Sequence, residues 1–297
     1  TDGDPMENKI LVPLDNTEIS EDLIKIADKW GQKTHSKLSF LHVINPEYSW
    51  SEEKLPLFED RFELAVSRYK IKSDYDILFR VGKPYEKIIE LENELQPQLI
   101  LMAAHTHSFM YRLFLGSNTD HVLHETKIPV HVYKKTEVEL ENKILVPLDY
   151  TDVNLELIKT ADEWAQKEDA KLVFLHVDEL PEYAGSDYMM ESVFFKKQDE
   201  DLINEMDSRE HDAEVAQVKN ELNKYLVEID IKTAYDTLVR FGIPYVKILE
   251  VQKSIAARLI MLAAHSHTVI GRMIMGSNTD YLIHHVKCPL YVYKAVD

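Results

Sequence analysis

Cysteine is almost absent from this sequence, and long apolar runs are absent altogether. The single cysteine, Cys288, excludes an intrachain disulfide framework and a zinc finger built from cysteines. No uncharged apolar run approaches the roughly 18–20 residues that a membrane span requires. The stretch TDGDPMENKILVPLD at the N-terminal end lacks the basic and apolar regions of a secretory signal. These absences predict a cytoplasmic protein with no membrane segment.

Positive charge is also scarce. The chain has 34 Lys and Arg against 52 Asp and Glu, which gives a net charge of −18 at pH 7. A surface of this charge repels nucleic acids and anionic membranes, so we expect neither as a partner. A nucleotide remains compatible, because backbone amides at the start of a helix can hold a phosphate inside an acidic protein.

The sequence contains two copies of one unit. NKILVPLD occurs at 8–15 and again, letter for letter, at 142–149, an offset of 134 residues. FRVGKPYEKIIE at 79–90 matches VRFGIPYVKILE at 239–250, where the offset has grown to 160 residues. The second copy therefore carries 26 extra residues. The chain is a tandem duplication.

Each copy has the size of one domain. We predict a first domain at 6–135 and a second at 140–297, with the insertion around 180–215. The insertion combines a short apolar patch with an acidic, helix-like run. It is compatible with a lid over one pocket, with a helix that docks a partner, and with a longer second helix preceded by a disordered stretch.

Within each copy, strand-like and helix-like stretches alternate. KILVPL is a short apolar run without polar alternation, which is typical of a strand buried on both faces. The stretch ISEDLIKIADKWGQKT that follows has apolar residues at helical spacing, and we predict that Gly31 ends this helix. Strands that alternate with helices predict a parallel sheet with right-handed crossovers.

The carboxyl ends of such strands are where ligands bind. Asp15 and Asp149 follow the first strand of each copy, and Val43 and Val177 end the second strand. The loop after the fourth strand should open onto the same edge of the sheet.

That loop occurs almost twice. AAHTHSFMYRLFLGSNTD at 103–120 and AAHSHTVIGRMIMGSNTD at 263–280 agree at ten of eighteen positions. In both, Gly-Ser precedes a predicted helix, where glycine allows a close approach and the first helical amides can donate to an anion. The same residues also form an ordinary helix N-cap. The pattern by itself leaves phosphate binding and capping both open.

Together these segments resemble the universal stress protein family in tandem form. The resemblance is carried by KILVPLD, by FLHV, by the VGKP and FGIP turns, and by GSNTD before IPVHVY or CPLYVY, and it covers nearly the whole chain. It implies an α/β fold of two tandem doubly wound domains, each a five-stranded parallel sheet flanked by helices, of the adenine nucleotide α-hydrolase-like type. It also implies that the last strands, PVHVY and PLYVY, pair as an internal pseudo-dimer, and it leaves a further homodimer open.

ATP-binding members of this family carry a loop of Gly, two residues, Gly, nine residues and then Gly-Ser or Gly-Thr. The spacing is intact here, but Ala103 and Thr106 replace the leading glycines of the first copy, and Ala263 and Ser266 replace those of the second. Alanine costs about 1 kcal/mol or more where φ is positive. The Thr or Ser side chain takes space near the ribose or phosphate, yet adds a hydroxyl donor. The resemblance therefore predicts ATP binding of an altered or weakened kind, with Mg²⁺ as the accompanying ion.

The family's pocket transfers to this chain residue by residue. Asp15 and Asp149 match the acid near the ribose and the phosphate-bound metal, and capping of the following helix is the alternative role. Val43 and Val177 match the position whose backbone contacts adenine. The positions that match the phosphate-binding loop are Ala103, Gly116, Ser117, Asn118, Ala263, Gly276, Ser277 and Asn278. The sequence assigns no catalytic residue and no metal ligand.

Histidines recur in both loops and one helix later. They are His105, His107, His265 and His267 in the loops, and His124, His284 and His285 after them. Paired imidazoles with aspartate can bind zinc or a similar metal. However, His-x-His in an extended segment points the two rings to opposite faces. Capping of the strand end and contact with a phosphate are the other interpretations.

Three functions are compatible with these observations. The first is a stress-response module that senses an adenine nucleotide, with at most slow ATP hydrolysis. The second is an enzyme that cleaves ATP between its α and β phosphates. Such enzymes carry a Ser-Gly-Gly-rich loop after the first strand, whereas PLDNTEIS and PLDYTDVN contain no glycine, so we do not expect an enzyme. The third is a nucleotide-free interaction scaffold, including one that binds a metal through its histidines, which the replaced glycines favour.

Overall fold

Strands and helices alternate along the chain as the sequence predicts. The computed structural model describes residues 8–15, 18–46, 55–104, 115–149, 152–178, 208–264, 267–269 and 272–294. Among these residues, no helix combines the length and the apolar character that crossing a membrane needs.

The described part of the first copy begins and ends with a strand. Its elements are β1 (Lys9–Pro13), α1 (Glu18–Thr34), β2 (Lys37–Ile44), α2 (Leu55–Ser67), β3 (Tyr75–Val81), α3 (Pro84–Leu95), β4 (Leu99–Ala103), α4 (Ser117–Glu125) and β5 (Val130–Tyr133).

The second copy repeats this order and adds a short hairpin before its last helix. Its elements are β6 (Glu141–Leu148), α5 (Asp152–Glu168), β7 (Lys171–Asp178), α6 (Ser208–Val227), β8 (Tyr235–Phe241), α7 (Pro244–Ile255), β9 (Ala257–Ala264), β10 (His267–Val269), β11 (Arg272–Ile274), α8 (Ser277–His285) and β12 (Leu290–Lys294). At 20 residues, α6 is longer than its 13-residue counterpart α2. This confirms the longer second helix, while the segment before it, for which a lid and a docking helix were the alternatives, lies outside the described residues.

Packing divides the chain differently from the sequence repeat. One compact unit contains Thr1–Glu137 together with Ala263–Asp297, and the other contains Val138–Leu262. The last helix and strand of the second copy, α8 and β12, therefore pack with the first copy. The predicted domains at 6–135 and 140–297 follow the sequence repeat, whereas these units follow the contacts.

The sheet of the first unit has the strand order β3-β2-β1-β4-β5-β12. The pairs among β1 to β5 are parallel, as expected for a doubly wound fold. β12 runs antiparallel to β5, with Tyr291 opposite His131 and with Val130 and Val132 opposite Val292 and Leu290. Because His131 and Tyr291 are equivalent positions of the two copies, this register is symmetric. The predicted pairing of the two last strands is confirmed.

The sheet of the second unit has the order β9-β6-β7-β8, and all its pairs are parallel. This order matches β4-β1-β2-β3 of the first copy. The duplicated sequence therefore builds the same strand order twice.

The core lies between each sheet and its helices. In β1, Ile10, Leu11 and Val12 are at most 1% exposed, which confirms a strand covered on both faces. Leu23 and Ala27 of α1 are equally buried, because four residues make about one helical turn and place both on the face toward the sheet. Burying a side chain such as Leu or Ile stabilises the fold by about 1.5–3 kcal/mol.

The prediction that Gly31 ends α1 is wrong. The helix continues to Thr34, and the next residue, His35, takes the left-handed conformation with φ of 52°. The N–H of Ser36 then donates to the carbonyl of Gly31 at 3.0 Å. This bond closes a Schellman-type turn, so a non-glycine residue in the left-handed region ends the helix.

Gly31 has a packing role instead. The second copy has Ala165 at the equivalent position and ends its helix in the same way, with Asp169 at φ of 51°. In the first copy, a Cβ added to Gly31 would lie 2.5 Å from the Oγ of Ser73 and 3.1 Å from Leu38. The absent side chain lets the turn before β3 approach α1 closely.

We therefore expect Gly31→Ala to destabilise the protein by about 1 kcal/mol. Overpacking costs about 1–3 kcal/mol, and the better helix propensity of alanine offsets part of it. Ala165→Gly, the reverse exchange at the matched position, should also destabilise, because it removes a buried methyl and adds a flexible residue to a helix. Urea unfolding midpoints would measure both, and a Gly31→Ala variant more stable than the wild type would contradict the packing role.

Candidate functional site

The strand register brings three predicted site residues to one level. β1 pairs with β2 up to Pro13 opposite Leu41, and the N–H of Leu14 donates to the carbonyl of Leu41; extension of this register by two residues brings Asp15 level with Val43. The register between β1 and β4 places Ala103 opposite the residue before Asp15. Because neighbouring strands are about 4.8 Å apart, the ends of β2, β1 and β4 form one continuous rim.

The start of α4 is tied to this rim. The hydroxyl of Thr119 donates to the carbonyl of Ala103 at 3.3 Å, which holds the first turn of the helix against the end of β4. Gly116 is the N-cap residue, with φ of −62° and ψ of 144°, and no side chain caps the helix there. The first-copy residues that share this edge are Asp15, Val43, Ala103, Gly116, Ser117 and Asn118.

Asp15 is oriented by the helix that follows it. The hydroxyl of Ser20, in the first turn of α1, donates to Oδ1 of Asp15 at 3.1 Å, while Asp15 itself is exposed. In the second copy, the side-chain amide of Asn154 donates to Oδ1 of Asp149. Capping of the following helix was the alternative role for these aspartates. In each copy, the contact is with a side chain in the first turn of that helix. That contact also fixes the carboxylate at the rim.

Two histidines that were not predicted as site residues contact the backbone at the ends of β1 and β6. Nδ1 of His42 lies 3.0 Å from the carbonyl of Leu14, and its ring stacks on Phe62 at a centroid distance of 4.8 Å. In the second copy, Nδ1 of His176 lies 2.9 Å from the carbonyl of Leu148. Because a carbonyl only accepts, Nδ1 carries the proton in both. The available signal was the histidine in both copies of FLHV.

The second copy's predicted residues lie in two different units. In the second unit, Leu148 pairs with His176, and Asp149 and Val177 are the residues that directly follow this pair. The others belong to the first unit and are Ala263, Gly276, Ser277 and Asn278. There the hydroxyl of Thr279 donates to the carbonyl of Ala263 at 3.4 Å, as in the first copy.

Neither the backbone conformation nor the packing at the start of α8 requires glycine. Gly276 has φ of −59°, which any residue can adopt, and a Cβ added to it would meet nothing within 4 Å. No side chain caps this helix start either. Nearby, Oδ1 of Asn278 is buried and has no hydrogen-bond partner among the described residues. Open space therefore adjoins the first amides of α8.

The leading positions of the predicted phosphate loop are only partly described. Ala103 and Ala263 lie in β4 and β9, and neither is among the described residues with positive φ. Alanine is therefore not strained where the family's first glycine would stand. Thr106 and Ser266 lie outside the described residues, as do three of the His-x-His histidines: His105, His107 and His265. For His267 only the backbone, in β10, is described.

Comparison with known proteins matches both copies. The universal stress protein family model matches residues 6–134 and 141–294. A universal stress protein of Methanocaldococcus jannaschii is 27% identical over 155 residues, which are 52% of this chain and 83% of that protein.

A solved structure that aligns over almost the whole chain shows the same fold. A universal stress protein from Archaeoglobus fulgidus aligns over 97% of this chain and 98% of its own length, at 21% identity and a TM-score of 0.66. A universal stress protein solved in complex with cAMP covers 43% of this chain and 97% of its own, at 19% identity and a TM-score of 0.35. Since the two segments matched by the family span nearly the whole sequence, this chain belongs to the universal stress protein family and carries that family's domain twice in tandem.

Proposed function

We propose that this protein binds an adenine nucleotide, with ATP as the first candidate, at the carboxyl edge of the first copy's sheet. The observation that carries the proposal is the start of α4. It is capped by a glycine and by no side chain, and Thr119 holds it against the end of β4. Free amides at a helix start, together with the positive end of the helix dipole, form an anion site.

The neighbouring residues supply complementary groups. The exposed hydroxyl of Ser117 can donate to a phosphate oxygen bound at the helix start. Asp15 lies one strand away, where its carboxylate can accept from ribose hydroxyls or bind the Mg²⁺ that accompanies ATP. The backbone beside Val43, on the next strand, offers groups that can pair with adenine. Phosphate, ribose and base thus each have a chemically suitable place along one rim.

The absence of strain at Ala103 removes one objection to this proposal. Alanine replaces the first loop glycine, but the backbone there is extended, so the exchange needs no unfavourable conformation. The side chain still reduces the space, which favours an altered affinity over a lost one. The replaced glycines remain the reason to consider a nucleotide-free scaffold as the second candidate.

We propose binding and not rapid catalysis, with ATP hydrolysis at most slow. His42, the imidazole closest in sequence to the rim, is held by the carbonyl of Leu14. Among the described rim residues, no nucleophile lies beside a partnered base. We also propose a cytoplasmic location, supported by a single, buried cysteine. A further homodimer would have to use a surface other than the paired last strands.

Isothermal titration of the full chain with ATP, ADP, AMP, cAMP and adenosine, with and without Mg²⁺, tests the proposal. We expect ATP to bind more tightly than adenosine, because the phosphates contact the helix start and adenosine has none. GTP serves as the control for recognition of the base. Equal binding of adenosine and ATP would contradict the phosphate site. If no nucleotide binds, and mass spectrometry finds none released from the purified protein, the scaffold is the better description.

A further inference from the structure

A groove on the first unit lies between α1 and the turn that joins α2 to β3. Its volume is about 340 Å³, which is at the lower end of the range of ligand pockets. Three lysines on α1 line it, together with apolar surface from the helix and the turn. These lining residues are Lys25, Lys29, Lys33, Ile24, Tyr69 and Ile71.

The turn adds further positive charge. Arg68, Lys70 and Lys72 alternate in sequence with the lining residues Tyr69 and Ile71, and all three are exposed. Burial raises the pKa of Tyr69, whereas the charge of Arg68 acts in the opposite direction, so this guanidinium lies near the tyrosine hydroxyl. Such a cluster stands out on a chain whose net charge is −18. We call the six residues the basic groove: Lys25, Lys29, Lys33, Arg68, Lys70 and Lys72.

The acidic side chains beside the basic groove have structural roles. Oδ1 of Asp28 accepts from the N–H groups of Lys72, at 3.0 Å, and Ser73, at 2.9 Å, and also from the hydroxyl of Ser73. Oε1 of Glu21 accepts from the hydroxyl of Tyr69 at 2.8 Å. Asp28 thus anchors the turn to α1, and Glu21 orients the tyrosine. Two carboxylates offset only part of the charge of six basic side chains.

The second copy builds the same turn with a different charge. Asp162, the counterpart of Asp28, accepts from the N–H groups of Lys232, at 3.1 Å, and Thr233, at 2.8 Å. Three of the six basic positions, however, carry acids in this copy. Lys29, Arg68 and Lys70 correspond to Glu163, Glu228 and Asp230. Because the turn is anchored alike in both copies, the fold does not require the basic side chains of the first.

The spacing of the lysines indicates which anion fits. Lys25, Lys29 and Lys33 recur every four residues, which is a rise of about 6 Å along a helix. In an extended peptide, the side chains on one face recur every two residues, or about 6.6–6.8 Å. Carboxylates at alternate positions of an extended segment can therefore meet successive lysines. A compact anion such as phosphate is too short to do so.

We propose that the basic groove binds an acidic segment of a partner protein, in which glutamates or aspartates alternate along an extended backbone. Its carboxylates pair with the lysines of α1, and the side-chain stems lie on Ile24, Tyr69 and Ile71. Exposed ion pairs are individually weak, so several have to form together. The last turn of α1 and the turn before β3 lie toward the amino edge of the sheet, opposite the proposed nucleotide site, so the two sites can be tested separately.

Fluorescence anisotropy of the full chain with a labelled peptide, in which three glutamates alternate with serines, tests the basic groove. We expect saturable binding of one peptide per chain that weakens as the ionic strength rises. Lys29→Glu/Arg68→Glu introduces the residues of the second copy and should weaken binding by at least about tenfold, because repulsion replaces attraction. Lys127→Glu/Lys135→Glu is the matched control, because it changes the net charge equally at exposed positions outside the groove.

The variants and a second peptide separate the outcomes. Weaker binding in Lys29→Glu/Arg68→Glu, at an unchanged Tm and with binding kept in the control, supports the proposal. If the reversed charges lower the Tm, Lys29→Gln/Arg68→Gln gives the same test without added repulsion. Equal weakening in the control, equal binding of a peptide with glutamines in place of the glutamates, or no saturable binding to the wild type overturns the proposal. Inorganic tripolyphosphate that binds more tightly than the peptide overturns it in favour of a phosphate ligand.

Discussion

Raising the pH from 7.5 to 9.5 should stabilise the wild-type protein relative to variants in which Lys134 or Lys294 is replaced by methionine. Both lysines are buried, at 2% and 3% exposure. They are equivalent residues of the two copies. Lys134 directly follows β5, and Lys294 is the last residue of β12. Each reaches the last helix of the other copy.

The contacts are reciprocal. Nζ of Lys134 donates to the carbonyls of Ile283, at 2.7 Å, and Val286, at 2.9 Å, at the carboxyl end of α8. Nζ of Lys294 donates to the carbonyl of Leu123 in the last turn of α4. The last carbonyls of a helix have no partner within it and carry the negative end of the dipole, so an ammonium group is a suitable cap.

Burial nevertheless disfavours the charged form. Desolvation lowers the pKa of Lys134 from 10.5 to about 8, although the neighbouring Cys288 acts in the opposite direction. Desolvation likewise lowers the pKa of Lys294 to about 8, against the opposing effect of Glu92. The folded protein therefore gives up these protons near pH 8, whereas the unfolded chain keeps them until about pH 10.5. Between these values the unfolded state binds more protons, so the free energy of unfolding rises with pH.

Over the range from pH 7.5 to 9.5 we expect a gain of about 2 kcal/mol for each lysine. Urea unfolding at constant ionic strength would measure it in the wild type, in Lys134→Met and in Lys294→Met. Lys135→Met is the matched control, because Lys135 is adjacent but exposed. Burial and Asp22 raise the pKa of Tyr133 to about 12, so this group does not titrate in the range. Parallel pH profiles in the wild type and both buried-lysine variants would show that the pKa values of the two lysines are not lowered in the folded protein.

The parallel sheets built from alternating strands and helices were predictable, because apolar runs without polar alternation mark strands that are buried on both faces. The end of α1 was not, because it depends on the left-handed backbone conformation of His35, and histidine is a weaker signal for that conformation than the nearby glycine. The buried lysines were missed for a related reason. Lysine is normally exposed, and the burial of Lys134 and Lys294 comes from contacts between copies that no local pattern encodes.

The candidate site, too, could be predicted from the sequence only in part. Asp15 and Val43 could be placed from the sequence, since parallel strands end at one edge and their register follows from the pairing. The groups that orient them could not. From the sequence, Ser20 is only a residue of a first helical turn, and His42 is only part of an apolar strand. Their contacts with Asp15 and Leu14 are seen in the structure alone. The contacts of Ser20 and His42 join residues that are apart along the chain, and no local pattern in the sequence encodes them.

Replacing Ser117 with alanine should weaken ATP binding by at least about tenfold in the first copy. A hydrogen bond to a charged phosphate contributes about 1.5–3 kcal/mol, and 1.4 kcal/mol corresponds to a factor of ten in Kd. The stability of the protein should change by less than about 0.5 kcal/mol, because Ser117 is exposed. Isothermal titration and urea unfolding of the same preparation separate the two effects.

The second copy supplies the matched variants. Ser277→Ala removes the equivalent hydroxyl, so comparison of the two single variants shows which copy binds. Gly276→Ala tests the same helix start through its open space: the backbone tolerates alanine, and only a ligand close to the added methyl would be affected. An affinity that falls in Gly276→Ala without loss of stability would place the phosphate against the first turn of α8. A double Ser117→Ala/Ser277→Ala variant that binds ATP as the wild type does would show that neither helix start holds the phosphates.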